Sequence, residues 1–327
     1  VTVESLLEVN GIRVWFTLPG DGLIRRGIKT LKAVDDVSFK LLPGETLGIV
    51  GESGCGKSTL ARGILGLVPV SEGSVRLSGD DLTELPAKTL HARRRDMQIV
   101  FQDPLASLDP RMTVLEIIAE PLQVYHPELS KKQRRQRVQQ MMQRVGLLPN
   151  QVNRYPHEFS GGQAQRIGIA RALILEPKLL ICDEPVSALD VSIQAQIINL
   201  LMTLQKDMGL SMLFIAHDLS VVKHISHRVM VMYLGRVVEI ASRDALYEKP
   251  MHPYTQALIK AIPIPDPEIE RARRGVPLSG DLPSPLDPPS GCHFRTRCPK
   301  ATGRCERETP QLEDKLAGHQ VACHYSE

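Results

Sequence analysis

Gly51-Glu-Ser-Gly-Cys-Gly-Lys-Ser-Thr59 separates an apolar run from a helix-forming run. Before it, Glu45-Thr-Leu-Gly-Ile-Val50 has the length and composition of a buried strand; Lys57 onward opens a helix. Gly51, Gly54 and Gly56 let the backbone curl until several N–H groups converge on one phosphate. The N-terminus of the following helix adds partial positive charge. Lys57 has the reach for the outer phosphates and the Ser58 hydroxyl can ligate Mg²⁺, so Gly51, Glu52, Ser53, Gly54, Cys55, Gly56, Lys57, Ser58 and Thr59 form a candidate phosphate cradle. A plain glycine-rich turn needs neither Lys57 nor Ser58 nor the strand–loop–helix frame.

Downstream, strand-like and helix-like stretches alternate, which predicts an α/β layered domain with a largely parallel sheet. Leu179–Asp183 and Met212–Ala216 read as buried strands, 130–145, 163–175 and 191–208 as helices, and Arg228–Tyr233 with Arg236–Ala241 as a hairpin. A net charge of +3 over 327 residues advertises no nucleic-acid surface. Arg93–Arg95 and Lys131–Arg137 lack the interleaved aromatics that base stacking requires, and read as solvated helix faces. No run approaches the ~18 apolar residues of a membrane span. The first ten residues lack the basic-then-apolar pattern of a secretory signal, so a cytoplasmic chain is expected. None of the four asparagines, Asn10, Asn150, Asn153 and Asn199, begins an Asn-Lys-x-Asp guanine reader.

Leu180-Ile-Cys-Asp-Glu-Pro185 ends an apolar strand in two acids. Asp183 suits the carboxylate that supports Mg²⁺ in a P-loop enzyme, and Glu184 is then placed to polarise water. Phe159-Ser-Gly-Gly-Gln163 puts small residues at a helix start, an anion site suited to a γ-phosphate.

Together these residues resemble the ATP-binding cassette (ABC) family, with Ser160, Gly161, Gly162 and Gln163 as its signature motif. The family usually has Leu where this chain has Phe159, a departure expected to alter packing at the dimer seam. The resemblance implies that Gln102 is the Q-loop glutamine, Asp190 lies in the D-loop, His217 is the switch histidine and Phe16 stacks on adenine. Glu184, His217 and Gln102 would be the catalytic groups, with Mg²⁺ held through Ser58, Gln102 and Asp183. It further implies a RecA-like P-loop NTPase core with an antiparallel β subdomain and an α-helical subdomain at about 103–165. Two such domains pair head to tail, each ATP lying between one subunit's P-loop and the other's signature.

Phe101–Pro110, Arg154–Ser160, His252–Leu258 and Ser290–Pro299 resemble the ATPases of bacterial oligopeptide permeases. That likeness implies a second homologous ATPase in a heterodimer, two membrane permease subunits and an extracytoplasmic peptide-binding protein, with no nucleic acid. It also implies peripheral attachment to the cytoplasmic face of the inner membrane. The expected division is an ATPase domain over 1–250 and a C-terminal extension over 251–327, entered through Pro263, Pro265, Pro267, Pro277, Pro283, Pro285, Pro288 and Pro289.

That extension holds Cys292, Cys298, Cys305 and Cys323, against two cysteines in the preceding 291 residues. Four thiolates on flexible backbone suit a [4Fe–4S] cluster, which accepts varied spacing, or zinc, which more often uses a tight Cys-x₂-Cys pair absent here. The family resemblance favours the cluster. His293, His319 and His324 are expected to be bystanders.

Overall fold

A computed structural model of the protein describes residues 4–19, 28–262 and 280–326. Pro263, Pro265, Pro267 and Pro277 of the expected connector lie outside them. In chain order the strands are β1 (Leu7–Pro19), β2 (Ile28–Leu41), β3 (Thr46–Val50), β4 (Glu72–Leu77), β5 (Asp80–Asp81), β6 (Met97–Val100), β7 (Leu179–Asp183), β8 (Ser211–Ile215), β9 (Arg228–Tyr233), β10 (Arg236–Ser242), β11 (Glu313–Leu316) and β12 (His319–Val321). The helices are α1 (Lys57–Ile64), α2 (Ala87–Arg93), α3 (Val114–Tyr125), α4 (Lys131–Arg144), α5 (Gly161–Leu173), α6 (Val191–Met208), α7 (Leu219–Ile225), α8 (Arg243–Glu248), α9 (Pro253–Lys260) and α10 (Gly303–Arg307). Among the described residues no helix is long and apolar enough to cross a membrane.

Two compact units emerge. One comprises 4–6, 41–46 and 84–216. Its strands β6, β7 and β8 run parallel with β7 central, in a register that sets Val100 beside Cys182 and Asp183 beside Ile215. Every residue of β7 and β8 is buried, as expected of parallel strands covered on both faces. Helices α3 and α4 each begin with a reciprocal capping box, Thr113 with Glu116 and Ser130 with Gln133, which satisfies N–H groups left without partners in the first turn. Met141 and Met142 face the core, whereas Lys131, Lys132, Arg135 and Arg137 are exposed, as the reading of that stretch as a solvated face requires.

The other unit comprises 7–19, 28–40, 47–83, 217–262 and 280–326. It holds a four-stranded sheet in the order β2-β1-β4-β5 and the strand series β11-β12-β10-β9-β3. Strand β3 runs parallel to β9, pairing Val50 with Val231; the remaining partners are antiparallel. The β9–β10 hairpin turns through Leu234 and Gly235, both at positive φ (42° and 80°), the handedness that matches strand twist.

The helix expected over 163–175 starts two residues earlier, because Ser160 caps it through Gln163. The cysteine-bearing tail, expected to be loop-rich, also forms α10 and the β11–β12 pair. Glu239 on β10 is fully buried there. It accepts hydrogen bonds from Met251 N (2.7 Å) and His252 N (3.0 Å), and pairs with His319 Nε2 at 2.7 Å. His319 is thus a structural partner of a buried acid.

His252 caps α9, its Nδ1 accepting from Tyr254 N at 3.0 Å, which requires the neutral ring. Burial drives its pKa down to about 3 from 6.5. The unfolded chain therefore takes up a proton that the folded chain refuses. This contribution to stability is complete above about pH 6.5 and lost progressively as pH falls toward 3. His252→Asn, which keeps the cap without the titration, should flatten the fall in urea midpoint between about pH 7.5 and 5.5.

Candidate functional site

The candidate phosphate cradle belongs to the second unit, between β3 and α1. Two of its glycines are obligatory for steric reasons. A Cβ at Gly51 (φ 155°) would lie 2.2 Å from Met232 O, and one at Gly56 (φ 102°) would lie 2.1 Å from Ala33 O. Gly54 (φ 79°) faces open space. Lys57 is 4% exposed, and its ammonium donates to Gly51 O (2.7 Å) and Glu52 O (3.1 Å), so loop carbonyls replace the water it has lost. Burial pushes the Cys55 thiol up despite Lys57 beside it, which makes it a packing residue and no nucleophile. Ser53 is exposed, whereas Ser58 and Thr59 are half-buried in the first turn of α1.

The acidic groups belong to the first unit. Asp183 ends β7 and is 4% exposed. Glu184 follows at φ 47°, a left-handed conformation rare for such a side chain and typical of backbone held under constraint at working sites. What holds it is visible. Its N–H donates to Ile215 O at 3.0 Å, its carbonyl accepts from Ser187 Oγ at 3.0 Å, and Gln102 Nε2 donates to Glu184 Oε2 at 3.1 Å. Two residues 82 positions apart are thereby brought together.

Ser160, Gly161 and Gln163 are exposed at the start of α5, with Gly162 half-buried. Ser160 Oγ accepts from Gln163 N (3.4 Å), and Ser160 N donates to Gln163 Oε1 (3.0 Å). A Cβ on Gly162 would meet Ile193 Cγ2 at 2.5 Å, so α6 approaches this turn closely. Asp190, exposed, is the N-cap residue of α6. Phe159 is only 8% exposed in the chain. In the second unit, His217 is exposed beside Asp218, whose Oδ1 caps α7 by accepting from Ser220 N at 2.7 Å. Phe16 and Trp15 are both half-buried on β1, and alternation points them to opposite faces. Lys32 sits 4.8 Å from the Trp15 ring centre.

The cysteine segment packs in the second unit through Phe294, 1% exposed against Tyr233 and Tyr254. Cys292 N donates to Cys305 O at 2.7 Å. Burial pushes the Cys292 thiol up to about 11, and the charges of Cys305, Cys323 and Cys298 add to the rise. Cys298 and Cys323 rise for the same reasons. All four thiols therefore lie within electrostatic reach of one another. Among the described residues, however, no group of three or more His, Cys, Asp or Glu side chains is arranged to hold a single metal ion.

Sequence reasoning missed two residues on the cradle itself. Arg297 grips the Glu52 carboxylate and Tyr254 Oη accepts from Glu52 N; a lone arginine or tyrosine more than 200 positions away carries no spacing signal.

Comparison with known proteins places this geometry. The ABC transporter family model matches residues 34–187, and that of the oligopeptide/dipeptide transporter C-terminal region matches 238–305. The oligopeptide transport ATP-binding protein OppF of Haemophilus influenzae is 61% identical over 321 residues, spanning 98% of this chain and 97% of its own. The chain belongs to the ABC transporter family, in its oligopeptide-transport branch. OppF of Escherichia coli is 60% identical over 98% of this chain and 96% of its own. Among solved structures, the dimeric post-hydrolysis state of the cassette MJ0796 bound to ADP and Pi aligns with a TM-score of 0.65 and 28% identity, covering 72% of this chain and 98% of that one. The ABC cassette of this chain is an ATPase.

Gly56→Ala should weaken ATP binding at least tenfold, because the methyl meets a backbone carbonyl. Gly54→Ala, with open space, should lose only about 1 kcal/mol of stability and keep most of its affinity. Titration of both variants with a fluorescent ATP analogue checks the contrast.

Proposed function

We propose that this chain hydrolyses ATP to drive import of oligopeptides, working at the cytoplasmic face of the inner membrane as one ATPase subunit of a transporter. The observation that carries the hydrolytic reading is Glu184, held in strained backbone with its carboxylate on Gln102. A carboxylate fixed there accepts a proton from water as the water oxygen bonds to the γ-phosphorus and the bond to the bridging oxygen breaks, releasing ADP. The backbone of 51–59 and Lys57 hold the phosphates, His217 contacts the γ-phosphate, and Phe16 stacks on adenine. Ser58, Gln102 and Asp183 are the residues to hold Mg²⁺, which when bound neutralises charge on the β- and γ-oxygens.

Ser160, Gly161, Gly162 and Gln163 stand exposed or half-buried at a helix start, which supports their role in closing the ATP site of a second subunit; Asp190 belongs to the same seam. Likeness to OppF supports an OppD-like second ATPase as heterodimer partner, two transmembrane permease subunits and an external peptide-binding protein. ATP then favours the closed pair and hydrolysis releases it, a two-state motor. The domain reading that goes with this is an ATPase domain over 1–250 and an extension over 251–327.

In the assembled transporter, Glu184→Gln should bind ATP normally and lose at least about a hundredfold in turnover. Wild-type phosphate release by that variant would refute the role of Glu184.

Cys292, Cys298, Cys305 and Cys323 are the residues to hold a [4Fe–4S] cluster. Their resemblance to the cysteines of peptide-permease ATPases and their place in one packed segment, buried or half-buried, support this reading. Protein purified without oxygen should be brown and contain about four iron atoms per chain. A colourless protein with one zinc per chain would replace the cluster with zinc.

A further inference from the structure

Glu52 is an awkward residue for a phosphate cradle. The loop collects N–H dipoles and a lysine to attract a polyanion, and Glu52 inserts a carboxylate into the same turn. Like charge at such range opposes binding unless it is cancelled. The second unit cancels it from a distant part of the chain. Arg297 Nη1 donates to Glu52 Oε2 at 2.8 Å and Nη2 donates to Oε1 at 3.0 Å, so both carboxylate oxygens are engaged by one guanidinium fork. The Arg297 side chain is 7% exposed and that of Glu52 26% exposed, a setting in which water screens the pair weakly.

The pair is also braced. Arg297 N donates to Phe294 O (3.0 Å), and Phe294 is wedged against Tyr233 (5.3 Å) and Tyr254 (5.3 Å). Tyr254, fully buried, accepts from Glu52 N at 2.9 Å. Side chain and backbone of Glu52 are thus each fixed by a residue lying beyond position 250.

We propose that Arg297 is a positioning residue for ATP binding: delivered by the cysteine-bearing segment, it neutralises and immobilises Glu52 so that the loop over 51–59 presents a purely attractive cradle to the triphosphate. The inference rests on reading 51–59 as that cradle. Its consequence is that the C-terminal segment sets nucleotide affinity from within the same subunit, and loosening that segment lowers affinity before it affects the chemical step.

The test measures ATP affinity by calorimetry with Mg²⁺ on the full chain, in a Glu184→Gln background that suppresses turnover, and KM and kcat in the transporter with Glu184 intact. Arg297→Ala should weaken binding about tenfold and raise KM with kcat little changed, because an unpaired carboxylate is left beside the phosphates. Arg297→Ala combined with Glu52→Gln removes both charges and should return affinity to within about threefold of the parent. Arg297→Lys, which keeps charge and loses the fork, should fall between. A purely structural tether predicts the opposite for the pair: the double variant would be as weak as Arg297→Ala, or weaker. Parental affinity in Arg297→Ala, or no recovery in the double variant, overturns the proposal; should Arg297→Ala fail to fold, parental affinity in Arg297→Lys does so. Lys57→Ala is the control for the underlying reading, since ATP binding that survives it would remove the cradle itself.

Discussion

A loop whose N–H groups must all point at one anion can exist only where side chains are missing. Gly51 and Gly56 pass so close to the carbonyls of Met232 and Ala33 that a single methyl group would collide with backbone, and backbone cannot step aside as a side chain can. This constraint organises what surrounds it. Strand β3 delivers the chain to the loop and β9, parallel to it, supplies the wall at Met232. Helix α1 then takes the chain away with its positive end at the loop.

The hydrolysis proposed for this chain adds a different requirement, a carboxylate of fixed direction at a strand end. Packing alone would not fix it, because a glutamate has three rotatable bonds and costs side-chain entropy to hold. Two hydrogen bonds hold the Glu184 backbone, to Ile215 O and from the Ser187 hydroxyl, and one from the Gln102 amide holds the carboxylate. The left-handed backbone at Glu184 is tolerated because those contacts over-determine it. Gln102 therefore has a positional effect on the acid in addition to any contact with substrate.

Much of this was legible in the sequence because local chemistry announces itself locally. The cradle, the Asp183-Glu184 strand end and the Ser160–Gln163 turn each combine small or charged residues with an apolar run of definite length, and the strands and helices carrying them formed within one or two residues of expectation. The start of α5 was misjudged by two residues, since Gly161 and Gly162 read as turn until Ser160 and Gln163 are recognised as reciprocal caps. Contacts between distant parts of the chain were illegible. Nothing in an arginine between two cysteines says that it will meet Glu52, 245 positions earlier, and nothing in Glu239 marks it as a buried acid. Phe159, the one departure from the family's signature pattern, is buried at 8% exposure, which its place before a small-residue turn does not announce.

The burial of Glu239 constrains how such a chain can change over generations. A carboxylate without solvent exposure is tolerated only while His319 and two backbone amides face it. Any descendant that shed its last few dozen residues would take His319 away from that carboxylate and leave it only the amides of Met251 and His252. The fate of position 239 is thereby tied to that of the tail, through a contact that does not involve the cysteines.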